Sequence, residues 1–368
     1  MTHRRTFNAF ISSALVTWKS TGKLQQTIAK CVERTGRALH SGKITTVKIW
    51  PEHAGGGRYF DFRSKFIPAS IEFAEESPLC TTLSKDGHRI RTVEHLLSCL
   101  EATGVDNCRI EIENEDSYDQ SVEVPILDGS AREWMEAIEQ AGLKVATDPT
   151  GKGCEKLAAF LNEPVHMWKN DSFIAAFPSP KVYITYGINF PEVPAIGCQW
   201  FSSPLLDGTC FAEQISSSRT FCIYEEVERL RDAGLIKGGS TENAIVCSGS
   251  RGWLNPPLRY HDEPCRHKAL DLIGDLSLFA RSGSQGLPVA HIIVYKACSF
   301  SNTYIVPSQV EVVGLKPRAI TMSKKCVRIA LSIAVSESIS GGGHALHAEF
   351  VRSLELNRKS DCWLSKSR

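Results

Sequence analysis

Apolar and polar positions alternate along this chain with two periods. From residue 24 the period is short. Runs at 25–31, 45–50, 58–62 and 67–74 are separated by turn residues, notably Gly55, Gly56 and Gly57, and predict strands. The period then lengthens. A helix is expected from Glu94 through residue 101 to a stop near Gly104, with Thr92 as its candidate cap. Residues 107–113 alternate as a strand, 122–126 are apolar, and Asp128-Gly129-Ser130 leads into a helix over 131–141. After the polar string 147–152 the order repeats: strands at 163–168, 172–177 and 182–188, a helix at 225–233 ended by Gly234, a second helix opening at Glu263, and a strand at 290–296. Two halves of the same make-up suggest an internal duplication. The expected fold class is α+β, with two domains of related topology, 24–146 and 155–368, joined by a linker at 147–154. Each is a sheet-and-helix sandwich, and a ligand cleft between them is the natural site.

The helix opening at Glu263 carries the most chemistry. Asp262 and Glu263 are placed to cap or charge its N-terminus, and Pro264 suits the first helical position. Leu270, Ile273, Leu276 and Leu278 supply apolar contacts. His267, Asp271 and Asp275 recur at i, i+4 and i+8 and so share one stripe. Acids in so apolar a stretch are costly to bury without a partner. A divalent metal held by His267 and Asp271 removes that cost; a solvated polar face is the plain alternative. Glu94-His95, at the start of the earlier helix, offers a third donor. With His95, the set His95, His267 and Asp271 leaves one metal position open, the pattern of catalytic zinc, and Glu94 stands where it could take a proton from water. Two histidines and one carboxylate also suit Fe2+, so spacing alone does not name the metal.

Composition narrows the class. A hydrophobic fraction of 42% and a charged fraction of 23% in 368 residues are those of a soluble globular protein. A net charge of +1 gives no electrostatic case for nucleic acid or an anionic membrane, and no apolar run is long enough for a transmembrane segment. The 13 cysteines are scattered without a CxxC pair and suggest buried thiols in a reducing compartment. Up to Glu33 there is no acid, whereas Arg4, Arg5 and Lys19 are basic. Residues 1–23 therefore have the composition of an organellar transit peptide, a disordered tail being the alternative.

Five strings then form a series: TVEHLLSCLEATGVDN (92–107), VEVPILDGSA (122–131), SRTF (218–221), GLIKGGSTENAIV (234–246) and RHKALDLIGDL (266–276). In order and spacing they resemble the UDP-3-O-acyl-N-acetylglucosamine deacetylases, zinc hydrolases of lipid A synthesis, and most of all the plant organellar members. The resemblance runs from about residue 24 to 296. It implies His95, His267 and Asp271 as zinc ligands and Glu94 as general base. Thr220 is implied as an oxyanion donor, and Asp275 as the acid that orients a catalytic histidine. Lys268, Phe221, Gly239 and Ser240 are implied to line the substrate site. It further implies a UDP-linked acylated glucosamine as substrate, a monomer, and an organelle, the mitochondrion with the chloroplast as alternative. A small inserted element that forms the acyl passage is expected at 188–201.

The pattern breaks after Ala297. The histidine-bearing GHAL expected there stands at 343–346 instead, so that His344 matches the catalytic histidine and residues 298–342 are an atypical insertion. A retained intron or mispredicted exon boundary explains it most simply; a regulatory insertion is the alternative. An inactive or regulatory isoform, or a sugar-nucleotide-binding scaffold with His344 displaced, is therefore the competing reading of function.

Overall fold

The computed structural model describes residues 15–75, 77, 79–114, 119–169, 171–204, 206–232 and 235–296. Residues 298–342 and His344 lie outside them.

The chain opens on β1 (Val16–Leu24) and β2 (Gln26–Ile28), then forms β3 (Val32–Arg37), β4 (Ile44–Pro51), β5 (Arg58–Phe62) and β6 (Lys65–Pro68). A small layer follows, of β7 (Ala74–Glu75), β8 (Thr82–Lys85) and β9 (His88–Arg91). Helix α1 (Glu94–Thr103) leads into β10 (Cys108–Asn114). β11 (Ser121–Glu123), α2 (Arg132–Ala141) and β12 (Leu143–Val145) end this half. The second half runs β13 (Glu155–Leu161), β14 (Val165–Lys169), β15 (Ser172–Pro178), β16 (Tyr183–Phe190), β17 (Gly197–Ser202) and α3 (Gly208–Gln214). It continues through β18 (Phe221–Ile223), α4 (Tyr224–Asp232), β19 (Ile245–Ser248) and β20 (Gly252–Trp253) to α5 (Glu263–Ser277) and β21 (Ala290–Tyr295).

The duplication is visible in the pairing. The two five-stranded sheets have the orders β3-β4-β10-β5-β6 and β14-β15-β21-β16-β17. In each, the last strand enters the middle, antiparallel to one neighbour and parallel to the other. A parallel join cannot be made by a hairpin and needs a crossover. The two crossovers carry α1 and α5, which therefore hold equivalent places. Alternate residues of the strands point inward, such as Val47 and Ile49 on β4 and Ile292 and Val294 on β21, and one buried cluster extends from Ile28 to Val294 through both sheets and both helices. α1 and α5 are buried almost from end to end, as helices held between two sheets must be.

Several expectations are corrected. β1 begins at Val16 and pairs with β13, so the folded body takes in part of the stretch assigned to a transit peptide. Residues 67–74 are not one strand: Pro68 has no N–H to continue the ladder, and a 3-10 turn at Ile71–Phe73 follows, with the Ile71 N–H donating to the Leu278 carbonyl. Thr92 does not cap α1. It has a left-handed φ of 58°, and its hydroxyl donates to Glu123 at 2.8 Å. Asp262 occupies the N-cap position of α5, but its carboxylate makes no bond to the helix backbone and instead accepts from Arg266 Nε at 2.6 Å. The span 188–201 is no insertion: β16 and β17 pair there as an ordinary hairpin. The added element is β18, α4, β19 and β20, whose three strands form a separate sheet.

The two central helices meet at Gly274. A Cβ there would lie 2.2 Å from the Glu94 carbonyl oxygen and 2.8 Å from its carbon. Alanine is the better helix former by about 1 kcal/mol, yet here it would force the helices apart, and overpacking of this kind costs about 1–3 kcal/mol. Gly274→Ala is expected to lower the melting temperature. A variant that melts as high or higher would show that the helices do not need this contact.

Candidate active site

The i, i+4 spacing sets His267 and Asp271 on one face of α5, and the crossing at Gly274 brings the first turn of α1 against that face. His267 Nε2 lies 3.4 Å and His95 Nε2 3.6 Å from the same oxygen, Asp271 Oδ1. The two imidazoles stand perpendicular with centroids 4.9 Å apart. One donor atom from each of the three residues lies within 4.8 Å of the others, and all three side chains are buried.

The surroundings fix the protonation that a metal would need. His267 Nδ1 donates to the Ser218 carbonyl at 2.9 Å, and since a carbonyl only accepts, the proton sits on Nδ1 and Nε2 keeps its lone pair. Burial pushes the pKa of His267 down to about 3, so the ring stays neutral. Burial alone would raise the pKa of Asp271, but the Lys268 ammonium bonded to it opposes this and helps hold the carboxyl well below the ordinary range. Its Oδ1 is buried and has no hydrogen-bond partner. An ionised oxygen left without a hydrogen bond between two imidazole nitrogens fits a divalent cation.

Glu94 stands beside this set, 3% exposed, with Oε2 accepting the Thr81 N–H at 3.0 Å. Burial pushes its carboxyl well above the ordinary value, and Cys80 and Asp271 push the same way. Asp275, one turn beyond Asp271, is equally buried but turned to another partner: its Oδ1 accepts the Thr81 hydroxyl at 2.6 Å. Lys268 donates to Asp271 Oδ2 at 2.9 Å and lies 5.7 Å from the centroid of the Phe221 ring.

The SRTF string is a strap across the start of α5. The Ser218 carbonyl holds His267, and Arg219 grips Glu263 with Nε at 2.9 Å. The Thr220 N–H donates to the Gly129 carbonyl at 2.7 Å, and Phe221 begins β18. From Thr220 and Phe221 a cavity of about 380 Å³ runs into the added element, between Val227, Ile236, Ala244 and Leu254. Gly239 and Ser240 line it, and the Ser240 N–H is held by the Asn243 side chain at 2.8 Å. The structure thus brings together every expected site residue except His344, which lies outside the described residues.

Other contributors had no sequence signal strong enough to single them out. Thr81 is one threonine among several in a strand-like run. Gly274 is a glycine inside an apolar helical pattern, which is itself a mark of close approach. Gly129 is a third: a Cβ on it would lie 2.1 Å from the Asn243 carbonyl oxygen. His40 lines the same cavity, and burial pushes its pKa down to about 4.

Loss of a group that merely hydrogen-bonds a metal ligand already weakens metal binding by about 10–100-fold. Asp271→Asn, which removes a ligand charge, is expected to exceed that in equilibrium dialysis against zinc. Unchanged affinity would mean that Asp271 is not a ligand.

The chain is similar to known proteins along most of its length. Residues 25–307 match the family model described as UDP-3-O-acyl N-acetylglycosamine deacetylase. A relative in Arabidopsis thaliana, named probable UDP-3-O-acyl-N-acetylglucosamine deacetylase 1, mitochondrial, is 63% identical over 291 residues, which cover 79% of this chain and 89% of that one. Relatives named UDP-3-O-acyl-N-acetylglucosamine deacetylase in Trichormus variabilis and Synechocystis sp. are each 45% identical, covering 74% and 71% of this chain and 93% and 90% of theirs. With its five motifs gathered around one buried donor set, the chain belongs to the UDP-3-O-acyl-N-acetylglucosamine deacetylase family.

Proposed function

We propose that this chain is a zinc-dependent amidohydrolase that releases acetate from UDP-3-O-acyl-N-acetylglucosamine, in lipid A biosynthesis and within an organelle, the mitochondrion. The observation that carries the reading is the unsatisfied Asp271 Oδ1 between two imidazoles, set beside Glu94 and the mouth of an apolar cavity. The names of the relatives support the substrate and the organelle. The acid-free N-terminal stretch agrees with the location. Among the described residues no helix is long and apolar enough to cross a membrane.

His95, His267 and Asp271 would hold the metal. Zinc, when bound, supplies a Lewis acid that brings the pKa of water towards about 7 and polarises a carbonyl. Glu94 takes the proton from the attacking water. Its raised pKa suits a base that must hold that proton, and the bond from the Thr81 N–H fixes the carboxylate. The Thr220 hydroxyl donates to the oxygen on which charge develops. The carbon–nitrogen bond then breaks, acetate leaves, and the departing amine needs a proton. His344 is proposed to give it, with Asp275 stabilising the imidazolium. The cavity takes the acyl chain, while Lys268, Gly239 and Ser240 line the approach.

Glu94→Gln is expected to keep its zinc and to slow acetate release by at least ~100-fold, the scale of a positioned general base. Loss of zinc in parallel with activity would make Glu94 a ligand instead.

The position of His344 beyond residues 298–342 favours a second reading, in which this form keeps fold and metal but turns over poorly. Deleting 298–342 joins the 290–297 segment to Gly343 and restores the family spacing. Deletion is expected to raise both kcat and melting temperature, read on zinc-loaded proteins. Equal values in both forms would make the insertion a tolerated loop.

A further inference from the structure

We infer that Thr81 is a positioning residue that sets the catalytic base and the acid's supporting carboxylate at a fixed separation. The inference rests on the proposed deacetylase reading. Three bonds leave this one residue. Its N–H donates to Glu94 Oε2 at 3.0 Å. Its hydroxyl donates to Asp275 Oδ1 at 2.6 Å. Its carbonyl accepts the N–H of Val93, the N-cap residue of α1, at 3.4 Å. Thr81 is 5% exposed, so water does not compete for these groups. It also sits directly before β8, whose pairing of Thr82 with Arg91 in β9 holds the backbone in place.

The consequence is geometric. Glu94 belongs to α1 and Asp275 to α5, and they serve opposite ends of the reaction: one removes a proton from water, the other stabilises the group that gives a proton to the amine. A hydrogen bond from hydroxyl to carboxylate is among the stronger kinds and fixes the plane of the accepting group. Without the hydroxyl, Asp275 Oδ1 is buried with one donor fewer, and its carboxylate is held less firmly in that plane. The backbone bond to Glu94 does not depend on the side chain. A change at Thr81 therefore separates the Asp275 arm from the Glu94 arm.

The test uses zinc-loaded wild type, Thr81→Val, Thr81→Ala and Thr81→Ser, in whichever of the full-length and 298–342-deleted forms releases acetate. Valine keeps the branched shape and loses only the hydroxyl, and alanine is the second hydroxyl-free variant should valine not fold. Thr81→Val is expected to lower kcat by about 10–100-fold, the effect of a small misplacement. KM is expected to stay within about 3-fold, and zinc content and melting temperature near wild type. Thr81→Ser is expected to restore kcat to within about 3-fold. An unchanged kcat in Thr81→Val overturns the inference. So does a serine variant as slow as valine, or a kcat loss that merely follows a falling melting temperature. If neither wild-type form releases acetate, the functional reading has failed, and crystal structures of wild type and Thr81→Val decide the rest: a turned Asp275 carboxylate supports the positioning role, and an unmoved one overturns it.

Discussion

The site depends on how closely α1 and α5 approach. At Gly274 the backbone of one helix meets the backbone of the other with no space for a methyl group. That contact places His95, from one half of the chain, against His267 and Asp271, from the other. A separation larger by the width of a side chain would leave two ligands on one helix and a stray histidine on its neighbour. The gathering of the three candidate metal donors and the joining of the halves are thus the same structural event, and the single core running through both sheets keeps the helices in register.

Electrostatics makes the same demand. Glu94, Asp271 and Asp275 are each 3% exposed and crowd the meeting point of the helices. Lys268 neutralises one of them through Asp271 Oδ2. Thr81 serves the other two with hydrogen bonds, which stabilise charge without cancelling it. Among the described residues, three carboxyl groups crowded beside the Lys268 ammonium either take up protons or recruit further positive charge. Glu94 answers with a raised pKa, and Asp271 with an oxygen turned to the imidazoles. A divalent ion at that oxygen would relieve both, because it binds Asp271 and lessens the repulsion felt by Glu94.

How much of this was legible in the sequence follows from range. His267 and Asp271 are four residues apart, so helical periodicity alone places them on one face. Glu94 and His95 could be joined to them only through the resemblance, because 172 residues separate the two histidines and no periodicity reaches that far. Most strands of the five-stranded sheets were readable from alternation, but β3 and β17 were not, and the duplication shows fully only in strand order, where β10 and β21 enter the middle of their sheets. Thr92 misled because local cap chemistry competes with tertiary bonds, and Glu123 took its hydroxyl. The stretch 188–201 misled because a proline-rich turn between two strands looks like an inserted loop. Thr81 left no trace at all: its partners lie 13 and 194 residues away, and nothing local distinguishes it from Thr82.

The two inserted layers explain why a duplicated fold has one asymmetric site. Each half adds strands of a small sheet at the same point, between its fourth sheet strand and its central helix: β7, β8 and β9 before α1, joined by β11 from beyond it, and β18, β19 and β20 before α5. The central helices bring the metal donors. The added layers bring the residues that touch them from the side. Thr81 stands immediately before β8, the second strand of one layer, and Thr220 immediately before β18, the first strand of the other. They differ in what they hold. Thr81 turns inward to the carboxylates of Glu94 and Asp275, while Thr220 stays at the mouth of the apolar cavity. Duplication alone gives two equivalent helices and a symmetric meeting point; the division of labour between orienting the protein's own acids and meeting a ligand arises in the layers added to each half.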